Sequence, residues 1–234
     1  WIFILVVGAV ILVFFVGVSK SQRESSEIKS SGVFSKEFDA IIAGVGISVG
    51  TSHKLYLPRI EILMDCDTYT TGYVSNNLNS RVVFAPQQVM GDALVAWTLS
   101  WDMPFKITNF IFLTGSDMRY IIVDNEDLFD ELPDEMFKHN MGLSDTLIDL
   151  KNYRVKFIFV DESNVESSSL PLYLLSNNEN EISAVNFKSD DSEVEFYTLN
   201  SDKQFQSAGK APYFADDSFG EASKYAAIFA ENEE

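Results

Sequence analysis

The chain has 234 residues and a formal net charge of −18, from 17 Lys and Arg against 35 Asp and Glu, which argues against a nucleic-acid binder because phosphate neutralisation needs clustered cations. Hydrophobic residues at 46%, with 19 Phe, supply the core of one ordinary domain and exclude global disorder. One cysteine, Cys66, and two distant histidines, His53 and His139, exclude an intrachain disulfide and leave no thiolate or His-rich metal cage.

Trp1 to Val18, "WIFILVVGAVILVFFVGV", carries no charge. As a helix it would span roughly 27 Å, close to the ~30 Å hydrocarbon thickness of a bilayer. It is apolar on every face, unlike a core helix, and no small-x-small site follows it as in a signal peptide. Trp1 at one end and Lys20 and Arg23 at the other fit interfacial anchoring. The expectation is a transmembrane helix over 1–19, with the lipid bilayer as partner through residues 1–18. Lys20, Arg23 and Lys29 leave its orientation open on charge alone.

The polar run "SKSQRESSEIKSSG" reads as a helical stalk. Phe34, Phe38, Ile41, Ile42 and Val45 then recur at three- to four-residue steps, an amphipathic helix closed by Gly44 and Gly46. Stalk and helix together occupy 20–50, and a globular domain occupies 51–234.

Within that domain "RIEILMDC", "FKITNFIFLT", "RYIIVDN" and "YRVKFIFVD" are β-branched and aromatic runs that predict strands. "ALVAWTLSW", "EDLFDELPDEMF" and "LSDTLIDL" between them predict helices, and the alternation predicts an α/β fold with a largely parallel sheet. "EISAVNFK" and "SEVEFYTL" predict a β-hairpin at a sheet edge, and "SFGEASKYAAIF" a last helix.

Three motifs invite an enzyme reading. "DAIIAGVGISVG", with Gly44, Gly46 and Gly50, resembles the glycine turn of dinucleotide-binding proteins, with Asp65 placed for the ribose. Only nine residues separate Gly50 from the next strand, too few for a crossover helix. "YIIVDNEDL" resembles the first motif of the haloacid-dehalogenase superfamily, but Glu126 and Leu128 stand where its second Asp and its Thr belong. "IEILMDCDTYT" offers Asp65 and Asp67 instead, two carboxylates on one face of a strand. That resemblance implies an Mg²⁺-dependent phosphotransfer site, with Thr114 as the second-motif hydroxyl, Asp216 and Asp217 as metal ligands, and Lys156 or Lys188 as the phosphate-binding amine. Asp65 and Asp67 also form a bare D-x-D, the metal pair of sugar-nucleotide transferases.

No nucleophile elbow is present, since "LTGSDMR" lacks the G-x-S-x-G pattern. His53 and His139 lie in polar turns and suit exposed or capping roles. Cys66 is expected in the core, and Trp97 and Trp101, four apart, on one face of a helix.

The segment "VVFAPQQVMGDALVAWTLSWDMPFKITNFIFLTGSDMRYIIVDN", behind an apolar N-terminal run, resembles membrane-anchored proteins of small-genome archaea, a group with no assigned activity. The resemblance implies an extracytoplasmic domain held by a single-pass anchor. The leading expectation is therefore a membrane-anchored surface or envelope protein that presents a non-enzymatic interaction domain to an unknown protein partner. On that expectation it carries no catalytic residues and takes neither a cofactor nor nucleic acid. The alternative is a membrane-tethered enzyme, either Mg²⁺-dependent phosphotransfer of haloacid-dehalogenase type at Asp65, Asp67, Thr114, Asp216 and Asp217 or a nucleotide-using activity.

Overall fold

The computed structural model describes residues 15–16, 20, 29, 31–44, 50–56, 61–102, 106–140, 150, 152–165, 181–189, 192–212 and 218–229. In chain order these form α1 (31–44), β1 (Ser52–Tyr56), β2 (Ile62–Met64), β3 (Thr68–Thr71), β4 (Val74–Asn77), β5 (Val82–Phe84) and β6 (Gln88–Val89). There follow β7 (Ala93–Asp102), β8 (Lys106–Gly115), β9 (Met118–Ile122), α2 (Glu126–Glu131), β10 (Lys138–Asn140), β11 (Arg154–Val160), β12 (Ile182–Lys188), β13 (Glu193–Leu199), β14 (Phe205–Pro212) and α3 (Ser218–Phe229).

The strands make three sheets. A small hairpin sheet has the order β4-β3-β2-β6, a central sheet β1-β7-β8-β5, and a six-stranded mixed sheet β10-β9-β11-β12-β13-β14. The hairpin sheet is antiparallel throughout. In the central sheet β7 pairs antiparallel with both β1 and β8, and only β5 lies parallel to its neighbour. The mixed sheet runs parallel from β10 through β9 and β11 to β12, then turns antiparallel at β13 and β14.

The expected α/β fold with a largely parallel sheet is thus corrected to a β-rich, three-sheet fold. The decisive element is "ALVAWTLSWD", which is the strand β7 and not a helix. Its large residues alternate with small or polar ones: Val95, Trp97, Leu99 and Trp101 face one way, Ala96, Thr98 and Ser100 the other, the period-2 pattern of a strand. Read as a strand, it makes a long hairpin with β8 where a helical crossover was expected. The short polar strands "TYTT" and "VSNN" of the hairpin sheet lack any β-branched apolar run to announce them.

The expected single-pass architecture and membrane localisation are corrected as well: among the described residues no helix is long and apolar enough to cross a membrane. Of the expected span only Phe15 and Val16 are described, both helical and exposed, and the rest of 1–19 lies outside the described residues. "LSDTLIDL" also lies outside them, apart from buried Leu150.

Other expectations meet their elements. α1 is helical and docks on the domain through Phe34, Phe38 and Ile42: these residues share a core with Tyr69 and Ile62 of the hairpin sheet and Leu94, Ala96, Ile111 and Leu113 of the central sheet. The Tyr69 hydroxyl donates to the Ser35 carbonyl at 3.1 Å and lies 3.0 Å from the Ser35 hydroxyl, a buried polar tie between helix and sheet. "EISAVNFK" and "SEVEFYTL" pair antiparallel as β12 and β13, yet not at an edge, because β14 lies outside them. The edge strand β14 is largely exposed, and a bulge opposite Phe196/Tyr197, Lys210 and Pro212 blunt it against further pairing.

The second core lies between the central and mixed sheets and takes in α3. Trp97 and Phe112 of the central sheet meet Tyr225 and Phe229 of α3, with Trp97–Tyr225 centroids at 4.5 Å and Phe112–Phe229 at 5.5 Å. Tyr120 of the mixed sheet closes on Phe229 at 5.8 Å. Beyond the mixed sheet a third core collects Val155, Phe157, Phe159, Tyr197 and Phe205. Phe229, 1% exposed, is therefore the ring that both sheets share through α3. Phe229→Ala is expected to cost about 3–5 kcal/mol of unfolding free energy, read as a lowered urea midpoint at unchanged slope.

Candidate interaction site

Among the described residues, those proposed for phosphotransfer do not come together. Asp65, Cys66 and Asp67 are exposed in the tight turn of the β2–β3 hairpin, where the Asp65 amide donates to the Thr68 carbonyl at 2.8 Å. The Asp65 carboxylate accepts from the Cys66 amide at 2.8 Å, a turn-forming bond, and Cys66 is exposed where a core position was expected. Thr114 lies in another sheet, 0% exposed, with its hydroxyl 2.9 Å from that of Tyr120. Asp216 and Asp217 lie outside the described residues. Lys156 is buried between sheet and helix, and Lys188 donates to the Glu162 carbonyl. Among the described residues no cluster of His, Cys, Asp and Glu is arranged to hold a metal.

The other two motifs resolve into local structure. "DAIIAG" is helical, so no strand precedes Gly44 as a dinucleotide turn requires; Gly46 lies outside the described residues. In "VDNEDL" Asp124 adopts a left-handed turn (φ 50°) and Asn125 caps α2, accepting from the Leu128 amide at 2.8 Å.

What the fold does assemble is a junction where all three sheets meet. Gly115, Ser116 and Asp117 carry the chain from β8 in the central sheet to β9 in the mixed sheet. The Met90–Asp92 loop, arriving from β6 of the hairpin sheet, lies directly against this turn. A Cβ on Gly91, whose φ is 118°, would collide with the Ser116 hydroxyl, and one on Gly115 would collide with the Met90 carbonyl. Only glycine permits this approach. Ser116 Oγ accepts from the Asp92 and Ala93 amides at 3.0 and 3.2 Å and donates to the Asp92 carboxylate at 2.8 Å.

Asp117 and Arg154 complete the tie. Asp117 Oδ1 accepts from the Met90 amide at 3.2 Å, and its backbone carbonyl accepts from the Arg154 amide at 2.9 Å. Arg154 Nη1 reaches back to the Gln88 carbonyl at 2.5 Å and lies 3.7 Å from Asp117 Oδ2. Burial pushes the Asp117 carboxyl above the usual carboxylate range, against the opposing pull of Arg154.

Beside this tie runs a column of cations and rings. Arg119 of β9 stacks on Tyr153 at 3.7 Å and on Phe137 at 4.7 Å, and its Nη1 donates to the Ser116 and Met118 carbonyls at 2.7 Å each. Lys54 of the central-sheet edge β1 lies 4.4 Å from the Phe137 ring. Burial lowers the Arg119 pKa from its ordinary value, and Tyr153, Asp117 and Asp92 counter that shift. His139 on β10 is likewise lowered, by burial and then by Arg119. Two adjoining clefts open here, of about 400 and about 480 Å³, sharing Asp117, Asn152 and Tyr153 in their walls.

Chemically the site offers cations and aromatic faces, with the Asp117 carboxylate held by Arg154 and the Met90 amide and the Asp92 carboxylate by the Ser116 hydroxyl. Sequence reasoning did not reach Arg119, Tyr153, Phe137 or Lys54, which come from separate elements. The visible signals were "MGDA" and "TGSD", two glycine-polar turns flanking one long hairpin. No family model, no curated protein and no solved structure matches the chain.

The junction's tolerance can be measured at Gly91. Gly91→Ala is expected to destabilise the protein by roughly 1–3 kcal/mol, through a positive φ and the Ser116 collision. Gly44→Ala, in a helical position with open space around it, is the matched control and should leave the urea midpoint at or above that of the wild type.

Proposed function

We infer that this chain is an interaction domain without a catalytic step, and that it meets a protein partner at the cleft walled by Arg119, Tyr153 and Phe137. The observation that carries this reading is the Lys54–Phe137–Arg119–Tyr153 column, held from both the central and the mixed sheet beside a rigid junction. Arginine and tyrosine dominate the energetic centres of protein interfaces because each buries a large surface while keeping directional polar contacts. Here their geometry is set before any partner arrives, which lowers the ordering cost of binding. The high negative charge of the chain keeps the domain soluble and disfavours like-charged partners.

Hydroxyl-radical footprinting of the protein in extract of its source cells, against the purified protein, tests the location. Tyr153 and Phe137 should be protected, while Tyr73, 68% exposed on the β3–β4 turn, should label equally in both. Equal labelling everywhere, or protection confined to Tyr73, would remove the cleft from the interface. A separate assay addresses the absence of catalysis: with Mg²⁺ and p-nitrophenyl phosphate, turnover should stay at background for the wild type and for Asp65→Ala/Asp67→Ala alike. Mg²⁺-dependent turnover abolished by the double variant would replace this reading with phosphotransfer.

A further inference from the structure

Lys156, in the middle of β11, is 1% exposed. Lysine is almost never fully buried without a specific partner. Its amine crosses the layer between the mixed sheet and α3 and donates to the Ala227 carbonyl at 2.9 Å. Ala227 sits in the last turn of α3, where backbone carbonyls lack intrahelical partners and the helix dipole is negative. No basic residue of α3 itself occupies that turn, and the donor to its carbonyl comes from the sheet.

We propose that α3 is a proton-controlled latch, docked between the two sheets while the Lys156 amine is neutral and loosened when that amine takes up a proton in place. The proton goes from solvent to the Lys156 nitrogen lone pair and no covalent bond to carbon changes. The neutral amine satisfies one helix-end carbonyl inside an apolar layer at little cost. The ammonium keeps that bond but must hold a full charge out of water, and undocking α3 relieves it.

The charges around Lys156 favour the neutral form. Arg154, two residues along the same strand, opposes a second cation. Its register partners are Tyr120 on β9 and Ser183 on β12. Burial raises the Tyr120 phenol, which stays uncharged through neutral pH. On α3, burial also raises Tyr225, helped by Glu131 and Glu221, while Lys224 pairs with Glu131 of α2 at 2.6 Å. Burial, then Arg154, brings the Lys156 amine down to about 7. Exposed in the released state it returns to ~10.4. The released state therefore binds more protons between those values, so docking strengthens as pH rises from about 7 and is weakest below it.

Hydrogen exchange of the α3 amides in the full chain, corrected for the intrinsic pH dependence of exchange, is the test. From about pH 6 to about pH 9 wild-type protection of α3 should rise by at least tenfold relative to β12, while Lys156→Met should show no such rise. Wild-type protection independent of pH, or a full pH response surviving in Lys156→Met, overturns the latch. Direct titration of the Lys156 amine by nitrogen NMR in the wild-type protein needs no variant to fold. A midpoint near 7 supports the proposal, and one near that of an exposed lysine overturns it.

Discussion

The close approach of the Met90–Asp92 loop to the Gly115–Asp117 turn is the constraint on which this fold depends. Three sheets can share one short chain only if strands change sheet without stranding backbone polar groups. At this point two residues, Ser116 and Asp117, separate a strand of the central sheet from one of the mixed sheet. Their side chains and backbone satisfy Met90, Asp92, Ala93 and Arg154. Gly91 and Gly115 contribute by what they lack, because any side chain there would push the loop off the turn.

With the junction fixed, the layers follow. Successive residues of β7 and β8 point to opposite cores: Leu94, Ala96, Ile111 and Leu113 toward α1 and the hairpin sheet, Trp97, Phe110 and Phe112 toward α3 and the mixed sheet. The central sheet is thereby buried on both faces, and α1 and α3 fill opposite sides of it. The aromatic packing around Phe229 makes α3 a wedge between sheets, and the Lys156–Ala227 bond sets a buried polar contact within that wedge. A helix held at an internal polar contact can respond to protons in a way that a purely apolar docking cannot.

The candidate interaction site is a by-product of the same junction. Arg119 lies two residues after the turn, on the strand that the turn starts, and its guanidinium stays over Tyr153 because the Ser116 carbonyl of the turn and the Met118 carbonyl beside it hold it. Tyr153 immediately precedes β11, and Phe137 immediately precedes β10. Strand starts in the mixed sheet and an edge strand of the central sheet thus converge on one cleft, which is why a rigid scaffold and a contact surface arise from the same few residues.

Much of the local structure is legible in the sequence alone. The apolar faces of 31–44 and 218–229 at helical spacing, and the β-branched runs that become β8, β9, β11, β12 and β13, are local properties of the chain and dictate element type. Trp97 and Trp101 show the limit: residues four apart share a face in a helix and in a strand alike, and only the alternation from Val95 to Trp101 separates the two. The pair Asp65 and Asp67 shows another, since i and i+2 share a face only while the strand continues, and here it turns between them. Sequence by itself determined the composition of the cores, the helix and strand segments with clear periodicity, and an acidic surface. The tertiary structure alone decided which strands pair and in which direction, that α1 and α3 serve opposite faces of one sheet, and that Lys54, Phe137, Arg119 and Tyr153 stand in one column. The reason is physical: periodicity and turn chemistry are set by near neighbours, whereas pairing and convergence depend on which distant surfaces can be buried together.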